Sequence, residues 1–275
     1  MPQTVLITGA SSGIGRATAR LFAQRGAVLV LMARGREALE ATAAEVRAEG
    51  AADVVVCPAD VLDEGALRTA VEGTVQRFGS LDVVVHSAQV VAYGRIEEVP
   101  KEVFERVVDT ALHGTANLAR VVLPQFRRQG EGHLVIVSSL LASVATPLMG
   151  SYITAKWGQL GLIRVLQQET RDVPGIHVSA VAPGGVNTPI YSPERVARSI
   201  VARLDRPRRL VQSGFANPVV ILGFRLFPAV YDALVGPLLR VFALADDQRT
   251  PPTAGNVFES RPAGNAEKGR WHGIP

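Results

Sequence analysis

The sequence predicts an α/β protein, three layers doubly wound around a central parallel sheet, on three observations. Six short apolar runs, TVLIT, AVLVLM, DVVVC, LDVVVH, HLVIVS and IHVSAV, carry no polar alternation. Strands covered on both faces read this way. Longer helical patterns separate the runs, and such alternation builds βαβ units with right-handed crossovers. The first run leads straight into a glycine-rich turn, TGASSGIG, with a helical pattern directly behind it.

Helices are expected over 13–25, 36–49, 64–78, 101–128 (as two helices) and 152–171. The second ends at Gly50 and the third near Gly79, as helices often do. After Pro183, SPERVARSIVARL reads as another helix and RRLVQSG as a last strand. Residues 215–244 are apolar but interrupted by Pro218, Pro228 and Pro237 and by Arg225, Asp232 and Arg240. From about Gln248 the chain turns polar and rich in Pro and Gly. The expected organisation is one domain over 1–245 and an irregular tail over 246–275.

Composition bounds the function. With 275 residues, 47% hydrophobic and 20% charged, a sizeable core is possible and global disorder is not expected. The single cysteine, Cys57, excludes a disulfide framework and a thiolate metal site, and no metal is expected. Within DVVVC it reads as a buried core thiol, suited to a reducing cytoplasm. The start, MPQTVLITGASSGIG, lacks the pattern of a signal peptide. No uncharged apolar run reaches the roughly 18 residues of a membrane span. The formal charge is only +4, and the one basic cluster, Arg206, Arg208 and Arg209, has no aromatics interleaved. Nucleic-acid binding is therefore not expected.

The glycine turn points to a dinucleotide. Gly9, Gly13 and Gly15, spaced G-x-x-x-G-x-G, would permit a tight turn and let the backbone approach a pyrophosphate. Ser11, Ser12 and Ile14 lie in the same turn and are candidates with them, because free N–H groups at a helix start face an anion. About twenty residues on, where an acidic residue would favour NAD, positions 31–36 hold no Asp or Glu. Arg34 stands there instead, with Arg36 close by, and an arginine fork can hold a 2′-phosphate. NADP(H) is the expected cofactor; the alternative for Arg34 is a solvated loop arginine. Further on, SYITAKWG places Tyr152 and Lys156 one helical turn apart on one face.

Three motifs in order, TGASSGIG, then VSS thirteen residues ahead of Tyr-x-x-x-Lys, then a strand ending in Pro-Gly, resemble the short-chain dehydrogenase/reductase family over residues 3–190. That resemblance implies a Rossmann-like fold and carbonyl/alcohol redox chemistry. It implies Tyr152 as acid–base residue and Lys156 as its tuner, contacting the nicotinamide ribose and lowering the phenol pKa from its usual value near 10. It implies Ser139, which the spacing favours over Ser138, as the hydrogen-bond partner of the substrate oxygen. Asp60 and Val61 resemble the pair that touches adenine. Pro183, Gly184 and Thr188 resemble the loop over the nicotinamide, and Val186 the residue whose backbone meets the carboxamide. Plain turn and cap chemistry is the alternative for each of these. Family members assemble through two long helices, here about 112–128 and 152–171, so a homodimer or homotetramer is expected.

Two departures stand out. The family's Asn-Asn-Ala-Gly after the fourth strand is here His86, Ser87, Ala88 and Gln89. Ala88 survives as a cofactor contact, Gln89 brings a side chain towards the ribose, and His86 either joins the chemistry or ties neighbouring strands. The Asn that anchors a relay water is replaced by Ala111, or by Thr110 after a one-residue slip, and a main-chain carbonyl could hold that water instead. His113 and Asn117 read as helix-surface residues. Residues from about 190 to 245 sit where the family builds a substrate lid. Their apolar character fits a lipophilic ketone or alcohol, or equally packing on the core or another subunit; a membrane-surface contact is not favoured. The expected function is an NADP(H)-dependent ketoreductase. The alternative is a catalytically weakened NADP(H)-binding sensor or partner protein.

Overall fold

The computed structural model describes residues 2–184, 192–214, 216–242 and 256–259. Seven strands form one parallel sheet ordered β3-β2-β1-β4-β5-β6-β7. They are β1 (Thr4–Thr8), β2 (Val28–Ala33), β3 (Asp53–Pro58), β4 (Val83–His86), β5 (Glu131–Val137), β6 (Gly175–Pro183) and β7 (Leu210–Ser213). All six apolar runs and RRLVQSG fall on these strands. The fold is the expected doubly wound Rossmann-like arrangement.

Alternate residues of each buried strand feed two cores. Val5 and Ile7 of β1 pack with Phe22 of α1 (Gly13–Ala23), Leu39 of α2 (Arg36–Ala48) and Ile200 of α7 (Pro193–Asp205). Leu6 points the other way, with Leu67 of α3 (Glu64–Phe78), Leu118 and Phe126 of α5 (Gly114–Gln129) and Ile163 of α6 (Gly150–Glu169). The period of two along each strand thus makes the three layers. Cys57 departs from expectation: it is half-buried at the margin of the second core, on a strand whose residues are mostly only partly covered.

Residues 101–128 do form two helices, α4 (Lys101–Val108) and α5, joined through a π-helical turn at Asp109–His113. His113 is exposed and pairs with Asp109 at 2.8 Å. Asn117 is not a plain surface residue: its amide donates to the carbonyls of Val61 and Leu62. The prolines of the 215–244 stretch start helices as well as interrupting them. Pro218 lies in the first turn of α8 (Asn217–Leu226), and Pro228 opens α9 (Pro228–Phe242), positions where a missing N–H costs nothing. Phe224 packs edge-on between Trp157 and Tyr231, and the Tyr231 hydroxyl donates to the Ala145 carbonyl at 2.9 Å. The other side of this helix pair leaves Val219, Leu222, Phe227 and Val230 exposed.

Phe22 has no solvent exposure and meets β-strand and helix residues alike. Phe22→Ala is expected to destabilise the fold by about 3–5 kcal/mol, read from denaturant unfolding.

Candidate active site

The sheet order reverses at β1, whose neighbours are β2 and β4. Helices leave the two strands in opposite directions there, opening a crevice at their C-terminal ends. A cleft of about 200 Å³ occupies it. Its wall includes the predicted Gly9, Ser11, Ser12, Gly13, Ile14, Arg34, Asp60, Val61 and Ala88. Gly15 stands just behind. Pro183 and Gly184 end β6 and follow it, while Val186 and Thr188 lie outside the described residues.

The cleft fits a dinucleotide on its own geometry. Gly9 has φ +69°, and a Cβ there would sit 2.8 Å from the Ala88 nitrogen, so the turn touches the end of β4 with nothing to spare. A Cβ on Gly15 would collide with the Gly9 carbonyl. Ser12 caps α1 without a side-chain hydrogen bond, so the first amides of α1 have no side-chain acceptor there, a ready anion site. Buried polar atoms without a partner among the described residues, Gln89 Oε1 and His86 Nε2, lie at the same edge.

At the adenosine end, Asp60 is already engaged. Oδ1 accepts from the Leu62 amide at 3.0 Å, and Oδ2 pairs with Arg106 of α4. Arg34 donates to the carbonyls of Asn256, Val257 and Phe258. Burial, with Arg106 nearby, lowers its pKa. Arg106 and Asn256 line the cleft but carry no sequence signal: one is a helix arginine among many, the other meets Arg34 across 222 residues of chain.

The His86 tautomer follows from proton counting. The Thr8 hydroxyl accepts from the amides of Ser87 and Ala88, and its one proton goes to His86 Nδ1 at 2.8 Å. This count favours the His86 tautomer with the proton on Nε2. Burial and the charge of Lys156 hold its pKa down at about 3, so it stays neutral. It ties β4 to β1, the second of the two roles open to it.

At the other end, Ser139 caps the short turn Leu140–Ala142. Its Oγ accepts from Leu141 N at 3.1 Å. Burial pushes the Tyr152 phenol up to about 12, partly offset by a hydrogen bond with Ser139. Lys156 is not among the causes of that shift. Nζ lies 5.7 Å from the centre of the tyrosine ring, and burial brings the ammonium itself down to about 7, so it is not a permanent cation. Nζ donates instead to the Val137 carbonyl at 3.0 Å and to Gln159 Oε1 at 2.9 Å.

Gln159 is the residue that sequence reading missed. Its amide nitrogen donates to the Ala111 carbonyl at 3.1 Å and to Thr115 Oγ1 at 2.8 Å. Thr115 Oγ1 donates to the same carbonyl at 2.5 Å. The Ala111 carbonyl is thus bonded by two side chains, and Gln159 bridges it directly to Lys156. A glutamine three residues after the lysine, one turn along the helix, is the signal that could have revealed this.

The profile described as short chain dehydrogenase matches residues 3–198. The chain is 30% identical to the uncharacterized oxidoreductase YxnA of Bacillus subtilis over 280 residues, 94% of this chain and 78% of that one. It is 35% identical to the 3-oxoacyl-(acyl-carrier-protein) reductase FabG of Staphylococcus aureus over 185 residues, 67% of this chain and 74% of that one. Among solved structures, it superposes with a TM-score of 0.70 on the alcohol dehydrogenase of Thermococcus sibiricus complexed with 5-hydroxy-NADP, at 29% identity, covering 77% of this chain and 95% of that chain.

Burying Lys156 has a pH signature. Its pKa is near 10.5 in the unfolded chain and about 7 in the folded one. Between those values the unfolded state binds the extra proton, so stability rises with pH. Lys156→Met is expected to raise the denaturation midpoint most below pH 7, with roughly half of that advantage gone by pH 9.

Proposed function

We propose, from the premise that this chain belongs to the short-chain dehydrogenase family, that it is an NADP(H)-dependent reductase of lipophilic ketones. Membership makes it an oxidoreductase of carbonyl and alcohol groups. The observation that carries the finer reading is the cluster at the end of β5: Ser139 oriented by the Leu141 amide, Tyr152 whose phenol Ser139 influences, and Lys156 one turn along the same helix. NADP(H) preference is supported by Arg34, and by the 5-hydroxy-NADP of the Thermococcus enzyme.

The bound nicotinamide would supply the hydride. Ser139 donates a hydrogen bond to the substrate oxygen and keeps its own proton. Tyr152, protonated at neutral pH as an ordinary phenol is and held more firmly so by burial, gives its proton to that oxygen as charge develops. Lys156, titrating near neutrality, holds a proton beside the phenolate that remains. This balance favours reduction at pH 7, while oxidation of an alcohol needs phenolate and gains rate as pH rises. The exposed apolar side chains of α8 and α9 suit a lid for an apolar substrate. Assembly through α5 and α6, and residence in the cytoplasm, complete the proposal. Gln89, intruding on the cleft, favours the rival reading of an NADP(H)-binding sensor.

Wild type is expected to oxidise NADPH with apolar ketones, and Tyr152→Phe to lower kcat by about 10²–10⁴-fold while leaving NADPH binding intact. Cofactor binding with no turnover on any ketone would support the sensor instead.

A further inference from the structure

We propose that residues 256–259 form a specificity element of the cofactor site, a peptide strap whose carbonyls stand where a 2′-phosphate would bind Arg34. The inference rests on the reading of Arg34 as phosphate reader. The strap lifts for NADP(H) and stays seated for NAD(H).

The contacts are specific. Arg34 Nη1 donates to the carbonyls of Val257 at 2.8 Å and Phe258 at 2.9 Å, and Nη2 to that of Asn256 at 2.5 Å. Three consecutive carbonyls thus converge on one guanidinium, and a fourth contact joins Arg106 Nε to Val257 O at 3.4 Å. Of the five N–H groups of the guanidinium, three are used, both on Nη1 and one on Nη2, so the edge formed by the two terminal nitrogens has no free N–H left on Nη1. Phosphate recognition uses such an edge as a two-pronged fork.

The charges say what the strap replaces. Asp60 takes the charge of Arg106. No carboxylate among the described residues is in ion-pair contact with Arg34; Asp60 acts on it only from beyond contact, and the arginine's hydrogen bonds go to neutral carbonyls. They satisfy its donors without neutralising it, as a stand-in for an anion would. A phosphate brings both acceptors and charge, and so can displace them. A cofactor with a plain 2′-hydroxyl brings no charge and leaves them in place.

The strap is anchored rather than draped. Val257 is 3% exposed, packed against Val90 and Val107 with Tyr152 at the margin of the same cluster, and Asn256 lines the cleft itself. Lifting the strap therefore costs apolar burial as well as hydrogen bonds, and this cost falls on NADP(H) alone.

Two measurements on the full chain test this. With Val257→Cys, a small change in a buried seat, the rate of thiol labelling at position 257 is followed by mass spectrometry. Saturating NADP+ is expected to accelerate labelling several-fold and saturating NAD+ to leave it unchanged. Equal acceleration by both, or none with NADP+, overturns the proposal. With Val257→Asp, which unseats the strap, NADPH fluorescence titration is expected to give about tenfold tighter binding, with NADH unchanged. Weaker NADPH binding would mean that the strap builds the site, and would also overturn it. Arg34→Ala separates the two claims. If it leaves NADPH affinity unchanged in both wild-type and Val257→Asp backgrounds, the phosphate-reader premise fails. If it weakens NADPH while both position-257 variants respond alike to the two cofactors, only the strap fails.

Discussion

One buried ammonium organises the reactive end of the molecule. Lys156 is 2% exposed and has no carboxylate among its described partners. A cation removed from water must find acceptors or lose its proton, and Lys156 does some of each. Its acceptors come from the end of β5 and from its own helix, through Val137 and Gln159. Gln159 is held in turn by the carbonyl that the π-helical turn presents at Ala111. Single π-helical turns of this kind are frequent at functional sites. The π-helical turn between α4 and α5, the helix α6 and the end of β5 are thus tied to one another through Lys156 Nζ and Gln159.

The opposite end obeys a different constraint, steric rather than polar. The β1–α1 turn lies so close to β4 that only glycine fits at position 9. That contact and the uncapped start of α1 define a narrow slot, with Arg34 and Arg106 as its far wall. The strap at 256–259 closes over the arginines, and its Val257 shares a small apolar cluster with Tyr152. Events at the phosphate end can therefore be felt at the acid–base residue through packing.

Much of this was legible in the residues. The unalternating runs foretold a covered parallel sheet, because burial on both faces leaves no reason for polar alternation. The glycine turn, Arg34 and the Ser139, Tyr152 and Lys156 spacing are local patterns, and local patterns survive in sequence. Properties set by the surroundings did not. The phenol pKa depends on how deeply Tyr152 is buried and where Lys156 points, and nothing in SYITAKWG states either. Gln159 was overlooked because its meaning depends on a carbonyl 48 residues away. The strap was invisible for the same reason, as a polar tail meeting an arginine near the other end of the chain. Cys57 was misjudged because an apolar run marks a strand, not that the strand is the sheet's partly covered edge.

The central claim is hydride transfer from NADPH to a ketone carbon with a proton supplied at the oxygen. It is tested most directly by incubating the full chain with NADPH deuterated at the transferable position of the nicotinamide, each face in turn, and an apolar ketone, then locating the label by mass spectrometry. The account predicts one deuterium on the carbinol carbon of the alcohol, from one face only. Alcohol formed without deuterium from either face would contradict it.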